Sequence, residues 1–105
     1  MDKYIQDGYV AVLYSPNYGA GWFTSNTEYP EIVFDPTIVD MLLQDFSFEK
    51  IRTYVTLKYP DIYLGGLNTL CIAWVKVGEK FLIHEYDGDE EVWVASKINW
   101  LEAWQ

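Results

Sequence analysis

Glu79, Glu85, Asp87, Asp89, Glu90 and Glu91 fall within thirteen positions that hold one basic residue, Lys80. Carboxylates at that density suggest three kinds of chemistry. A calcium loop needs acids at alternate positions over about twelve residues, a closing Glu and a following helix. Here the run Asp87-Gly88-Asp89-Glu90-Glu91 is contiguous and leads into Val92-Trp93-Val94, a strand-like sequence, so no metal site is expected. A charged hairpin turn that shields a sheet edge is the plainest reading. The third is an acidic patch that meets the lysines and arginines with which another protein grips phosphate, which makes these six acids the candidate partner-binding residues.

A second constellation is Tyr14-Ser15-Pro16-Asn17-Tyr18-Gly19-Ala20-Gly21-Trp22-Phe23-Thr24-Ser25-Asn26. Two glycines beside a Trp-Phe pair imply a backbone that something approaches closely. Phosphate-binding glycine loops run straight into a helix whose N-terminus holds the anion. No helix signal comes before Asp35, so dinucleotide and P-loop readings are excluded. Two readings remain. In one, the loop folds onto its own sheet and Trp22 fills the core. In the other, Asn17, Gly19, Gly21, Ser25 and Asn26 form a polar lip around a ligand, with Tyr18 and Trp22 stacking on it.

The remaining reactive residues carry little. His84 is the single histidine, mid-strand, with no second histidine to complete a metal pair. Cys71 is the single cysteine, which excludes an internal disulfide and a cysteine-cluster zinc site. It lies in an alternating strand pattern without electropositive neighbours and reads as a small hydrophobe. No acid, base and nucleophile set emerges, so the chain is expected not to be an enzyme and to need no cofactor.

Elements must position these residues. Tyr9–Tyr14 (YVAVLY) is a strand, apolar on both faces. Residues 15 to 31 form a long loop. Asp35-Pro36 has the grammar of a helix start, an Asp cap and a proline in the first turn. Ile38, Leu42 and Phe46 then recur every fourth residue, which predicts a helix over 36–46. Ser47 caps a second helix over 48–58, with Ile51, Tyr54 and Val55 on its apolar face, and Pro60 stops it. Strands are expected near 69–77, 80–87 and 91–95. Gly78-Glu79 is the expected turn of a hairpin between the first two, and Asp87-Gly88-Asp89 is the next turn. The tail places Trp100, Leu101 and Trp104 at helical spacing, though an extended arm fits equally. The core should contain Val10, Val12, Ile38, Leu42, Ile51, Val55, Ile72, Trp74 and Ile83. The result is a single α+β domain over 1–105, with a mostly antiparallel sheet of about four strands and two short helices packed on one face.

Composition narrows the function. Sixteen Asp and Glu against seven Lys and Arg give a net charge of −9, contrary to the cationic contacts that direct nucleic-acid binding needs. No apolar run approaches the roughly 20 residues of a membrane span, and MDKYIQDGY lacks a signal-peptide core. A cytoplasmic protein is expected, with no membrane partner, and a homodimer is compatible with the sequence.

The segments YSPNYGAGW, VFDPTIVDMLL and GGLNTLCIAWVKVGEKFLIHEYDG resemble a family of small acidic proteins of phages, prophages and bacteria, with a Gly-Ala-Gly-Trp loop and a C-terminal EYDG turn. The resemblance runs from about residue 9 to residue 94 and departs from the pattern at Phe23 and in the Trp-rich tail. It implies no catalytic residues. It implies a context in which small acidic accessory proteins inhibit host defence proteins, such as a CRISPR effector or a restriction-type nuclease, by direct binding. Sequestration of a nucleotide signal in the Gly-Ala-Gly-Trp loop is the alternative.

Overall fold

The computed structural model describes residues 2–17 and 19–103. Five antiparallel strands and two α-helices make an α+β fold. The strands are β1 (Ile5–Gln6), β2 (Tyr9–Tyr14), β3 (Cys71–Lys76), β4 (Phe81–Tyr86) and β5 (Asp89–Val94). They form two sheets, one ordered β1-β2-β3 and one holding β4 and β5, rather than the single sheet expected.

The division turns on Val77. A Gly78-Glu79 hairpin would pair Val77 with Lys80, but the Val77 N–H donates to the Gly8 carbonyl at 2.9 Å. β3 is therefore committed to β2, in register from Tyr9 opposite Lys76 to Tyr14 opposite Cys71. Gly78, at φ +91°, turns the chain out of that sheet, and Phe81 then packs edge-to-face on Phe34 at 6.0 Å. β4 pairs instead with β5 through the two-residue turn Asp87-Gly88, whose φ values of 51° and 84° fit the twist of a tight hairpin. Asp7-Gly8 repeats the device between β1 and β2, at φ 53° and 83°.

The helices are α1 (Pro36–Leu43) and α2 (Phe48–Lys58). The Asp35 carboxylate accepts from the Thr37 and Ile38 amides, and Ser47 Oγ from the Lys50 amide, so both caps act as the sequence indicates. α1 stops at Leu43, short of Phe46, because Asp45 takes φ 58° while the Phe46 and Asp45 amides bond back to the Met41 and Leu42 carbonyls. That paired closure ends a helix by satisfying its last carbonyls.

Val12, Ile38, Ile51 and Val55 are buried as expected, joined by Ala11, Leu13, Trp22, Ile32, Val33 and Val39. Val10, Leu42, Ile72 and Ile83 are half-buried. Trp74 corrects the expectation: it lies on the free edge of the first sheet, exposed, with its ring edge-on to Tyr4 at 6.1 Å. The tail turns through a short 3-10 segment at Ala95–Lys97, and residues 98–103 are not helical. Trp104 lies outside the described residues.

Candidate functional site

The β4–β5 hairpin sets out the acids. Phe81 opposite Val94, Ile83 opposite Val92 and Glu85 opposite Glu90 share one side. Phe81, Ile83, Val92 and Val94 pack against the core from it. Leu82 opposite Trp93, His84 opposite Glu91 and Tyr86 opposite Asp89 share the other side, because side chains alternate along a strand. On that outer side the His84 ring stacks on Trp93, centroids 4.1 Å apart and planes within 8°. Trp93 Nε1 donates to Glu91 at 3.0 Å, which fixes the carboxylate beside the indole. Leu82 and Tyr86 are exposed, Tyr86 at 71%.

Asp87, Asp89 and Glu91 border this aromatic stripe at the turn end. Asp89 is held by the Asn17 amide at 2.7 Å, and Glu85 by the Gly88 amide at 2.8 Å. The acids are therefore presented on a fixed frame rather than on a mobile loop. Glu79 sits at the far end of the hairpin, where it accepts from the Ser96 hydroxyl at 2.8 Å, and does not join the others.

Glu90 overturns its expected role. It is wholly buried, so it offers no charge to a partner. Closing the turn at Asp87-Gly88 makes Asp89 the first strand residue and points Glu90 inward. Its Oε1 accepts from the Ser15 amide at 3.0 Å and hydroxyl at 3.2 Å, and its Oε2 from the Thr24 amide at 2.8 Å and hydroxyl at 2.9 Å. Four donors replace the water a buried carboxylate loses. Neither Ser15 nor Thr24 stood out in the sequence as a partner of this acid.

The glycine loop folds onto the protein itself. Trp22 is fully buried, its Nε1 donating to the Ile32 carbonyl and its amide to Ser15 Oγ. A Cβ on Gly21 would lie 2.8 Å from Glu90 Oε2 and 2.1 Å from Thr24 Oγ1. One on Gly88 would fall 1.3 Å from the Gly19 carbonyl oxygen, where the Gly19 amide donates to the Asp87 carbonyl at 3.1 Å. Asn26 is buried and spent on Trp22 and Tyr63 backbone groups. Asn17, Gly19 and Ser25 are exposed. Tyr18 lies outside the described residues.

A third cluster surrounds Asp35, which caps α1. Its carboxylate also accepts from the hydroxyls of Tyr54 at 2.9 Å and Tyr59 at 2.5 Å and from Lys58 Nζ at 3.0 Å. Burial alone would raise the Asp35 pKa, but hydrogen bonds from Tyr59, Lys58, the Ile38 amide and Tyr54 outweigh it and hold it below its ordinary value. Tyr59 is pushed up by burial and by that carboxylate. Lys58 is pushed up by the Tyr54 hydroxyl and, against partial burial, by Asp35. An adjoining cleft of about 370 Å³ is lined by Tyr29, Glu31, Lys58, Tyr59 and Asp61. These groups are locked in their charge states at neutral pH, the opposite of what proton transfer needs. The Tyr54 and Lys58 spacing on α2 was the available signal, but only the packing of α2 against the start of α1 joins them to Asp35.

Among the described residues no three His, Cys, Asp or Glu converge as metal ligands, and no helix is long and apolar enough to cross a membrane. No protein-family model, curated protein or solved structure matches the chain.

Proposed function

We propose that the protein is a non-enzymatic inhibitor that docks the outer face of its β4–β5 hairpin on a basic, phosphate-gripping surface of another protein. The observation that carries this reading is the outward aromatic stripe of Tyr86 and the stacked His84 and Trp93, bordered by Asp87, Asp89 and Glu91. Desolvated aromatic anchors supply most of the energy in such interfaces, and charges at their rim speed encounter and set specificity. Pre-ordered carboxylates lose little freedom on binding. The net charge of −9 extends the same attraction over the molecule. On the resemblance to small acidic phage and prophage proteins, the activity would be exerted in the cytoplasm of a host cell. The partner would be a defence protein such as a CRISPR effector or restriction-type nuclease.

The test is capture from host lysate across a salt series, with the partner identified by mass spectrometry. Asp87, Asp89 and Glu91 are replaced together by Lys, while Glu90 is kept because it holds the fold. Association should slow by roughly ten- to hundredfold at low salt, with the fold retained by circular dichroism although the Asn17 and Trp93 hydrogen bonds are lost. A triple variant that captures the same partner as well as the parent at every salt concentration overturns the reading.

A further inference from the structure

β3 and β5 each turn an unpaired backbone edge towards the other. The Val77-to-Gly8 hydrogen bond, carried along the β2–β3 register, assigns the peptide groups of Cys71, Ala73 and Val75 to β2. Those of Ile72, Trp74 and Lys76 therefore point away from it. The Ala95-to-Lys80 bond at 2.8 Å likewise assigns Asp89, Glu91 and Trp93 to β4 and points Glu90, Val92 and Val94 outward. The outward Glu90 N–H is taken by the Ser15 carbonyl at 3.0 Å, which stitches the two sheets together at one end. Beyond that stitch the edges part. Among the described residues no backbone bond joins β3 to β5.

The gap is a groove of about 450 Å³, lined by Ala73–Val75 on one side and Val92–Val94 on the other, with Lys97 and Ile98 at one end. Three consecutive residues from each strand mark it as a slot between edges. Both strands start at the stitch and run away from it, since Cys71 opposes Tyr14 and Glu90 meets Ser15. One inserted strand can therefore run antiparallel to both and satisfy both rows of donors and acceptors, the chemistry of strand addition.

We propose that the slot receives residues 99–103 of a second copy of this chain, in a two-fold exchange. Those residues are exposed, and they include Trp100 at 66% and Leu101 at 94%, apolar surface that a monomer leaves in water. The tail leaves from Ile98, at the slot's own rim, so an exchange between two copies closes on itself. Trp100 bonds to the Ile98 carbonyl through its amide and to the Ala95 carbonyl through Nε1, which holds the start of the tail around the end of its own β5. In the exchange each tail gives up those bonds in its own copy and gains strand pairing in the other's slot. Consecutive residues alternate in direction, so of Trp100 and Leu101 one meets each face of the slot.

The test combines sedimentation equilibrium with amide hydrogen exchange on the full chain and on Leu101→Pro and Leu101→Asp. Leu101 is almost wholly exposed, so both substitutions leave the monomer intact. The expected result is a dimer in which the Trp74, Val92 and Val94 amides gain protection with concentration. Each variant should weaken it by roughly tenfold or more, Leu101→Pro by removing a backbone donor and Leu101→Asp by placing a charge in the slot. A dimer indifferent to both substitutions overturns the proposal, because another face then mediates it. Tail-dependent protection in a monomer also overturns it, because the chain's own tail then fills the slot. A monomer whose edge amides exchange freely at every concentration does the same and leaves the slot to a strand from another protein.

Discussion

Glu90 and Ser15 lie 75 positions apart, and three hydrogen bonds join them. The Ser15 amide and hydroxyl both donate to Glu90 Oε1, and the Glu90 amide donates back to the Ser15 carbonyl. Thr24 closes the other carboxylate oxygen, so one buried side chain ties the glycine loop, the end of β2 and the β4–β5 hairpin. Replacement by Gln keeps the shape but turns one acceptor into a donor facing two donors. Glu90→Gln should lower stability by roughly 2–4 kcal/mol, and Glu90→Ala by at least as much, since buried donors left unpaired are costly. Urea denaturation reads both, and a loss no larger than that of an exposed Asp61→Ala control would show that the clasp is not what holds the loop.

Trp22 tests the loop independently. Its side chain is fully buried and its Nε1 is satisfied by Ile32. Trp22→Ala should cost roughly 3–5 kcal/mol by cavity formation. Thermal melting of a variant that retained parental stability would return Trp22 to the list of ligand contacts.

Two glycines separate backbone conformation from close approach. Gly78 and Gly88 both have left-handed φ, at +91° and +84°, but a Cβ on Gly78 meets nothing within 4 Å while one on Gly88 meets the Gly19 carbonyl. Gly78→Ala should cost about 1–2 kcal/mol, the price of a left-handed Ala. Gly88→Ala should cost clearly more and make the loop around Gly19 the first site of limited proteolysis. Equal costs by denaturation would mean that the loop and the turn do not touch.

Asp35 predicts a pH dependence. Its folded pKa lies below the ordinary 3.8, so its contribution is complete above that value and is lost as pH falls through the folded value. Tyr59 and Lys58 lie above their ordinary 10.0 and 10.5, so their contributions are complete below those values and are lost as pH rises beyond them. Stability measured by urea titration from pH 2 to 11 should fall at both ends, and Asp35→Asn should flatten the acid arm. An acid arm unchanged in Asp35→Asn would assign that loss to other carboxylates.

Local chemistry was legible in the sequence, and long-range competition was not. Asp35-Pro36 and Ser47 announced both helices because a cap acts on amides two or three residues away. The Gly78-Glu79 hairpin did not form, because the claim on β3 came from Gly8 and β2, which no window around residue 78 contains. Glu90 was misplaced for a smaller reason. Starting β5 at Asp89 rather than Glu91 makes Glu90 a strand residue with an inward side chain, and only the pairing of Tyr86 with Asp89 fixes that phase. The outward acids Asp87 and Glu91 needed no such information. Asp35 was visible as a cap, whereas Tyr54, Lys58 and Tyr59 joined it through the packing of one helix end on another.

The pairing of β2 with β3 also governs the order in which the chain can fold as it is synthesised. β2 lies in the first fifteen residues, yet β3 does not exist until Lys76 has been made, and the Glu90 clasp comes later still. Until then β2, apolar on both faces, has the two-residue β1 as its strand partner. The helices can form locally in that interval, but the sheet has to wait for a long loop to close, the slow kind of step in folding. A nascent chain stalled before residue 71 should therefore hold its helices with its first long strand unpaired and open to chaperones.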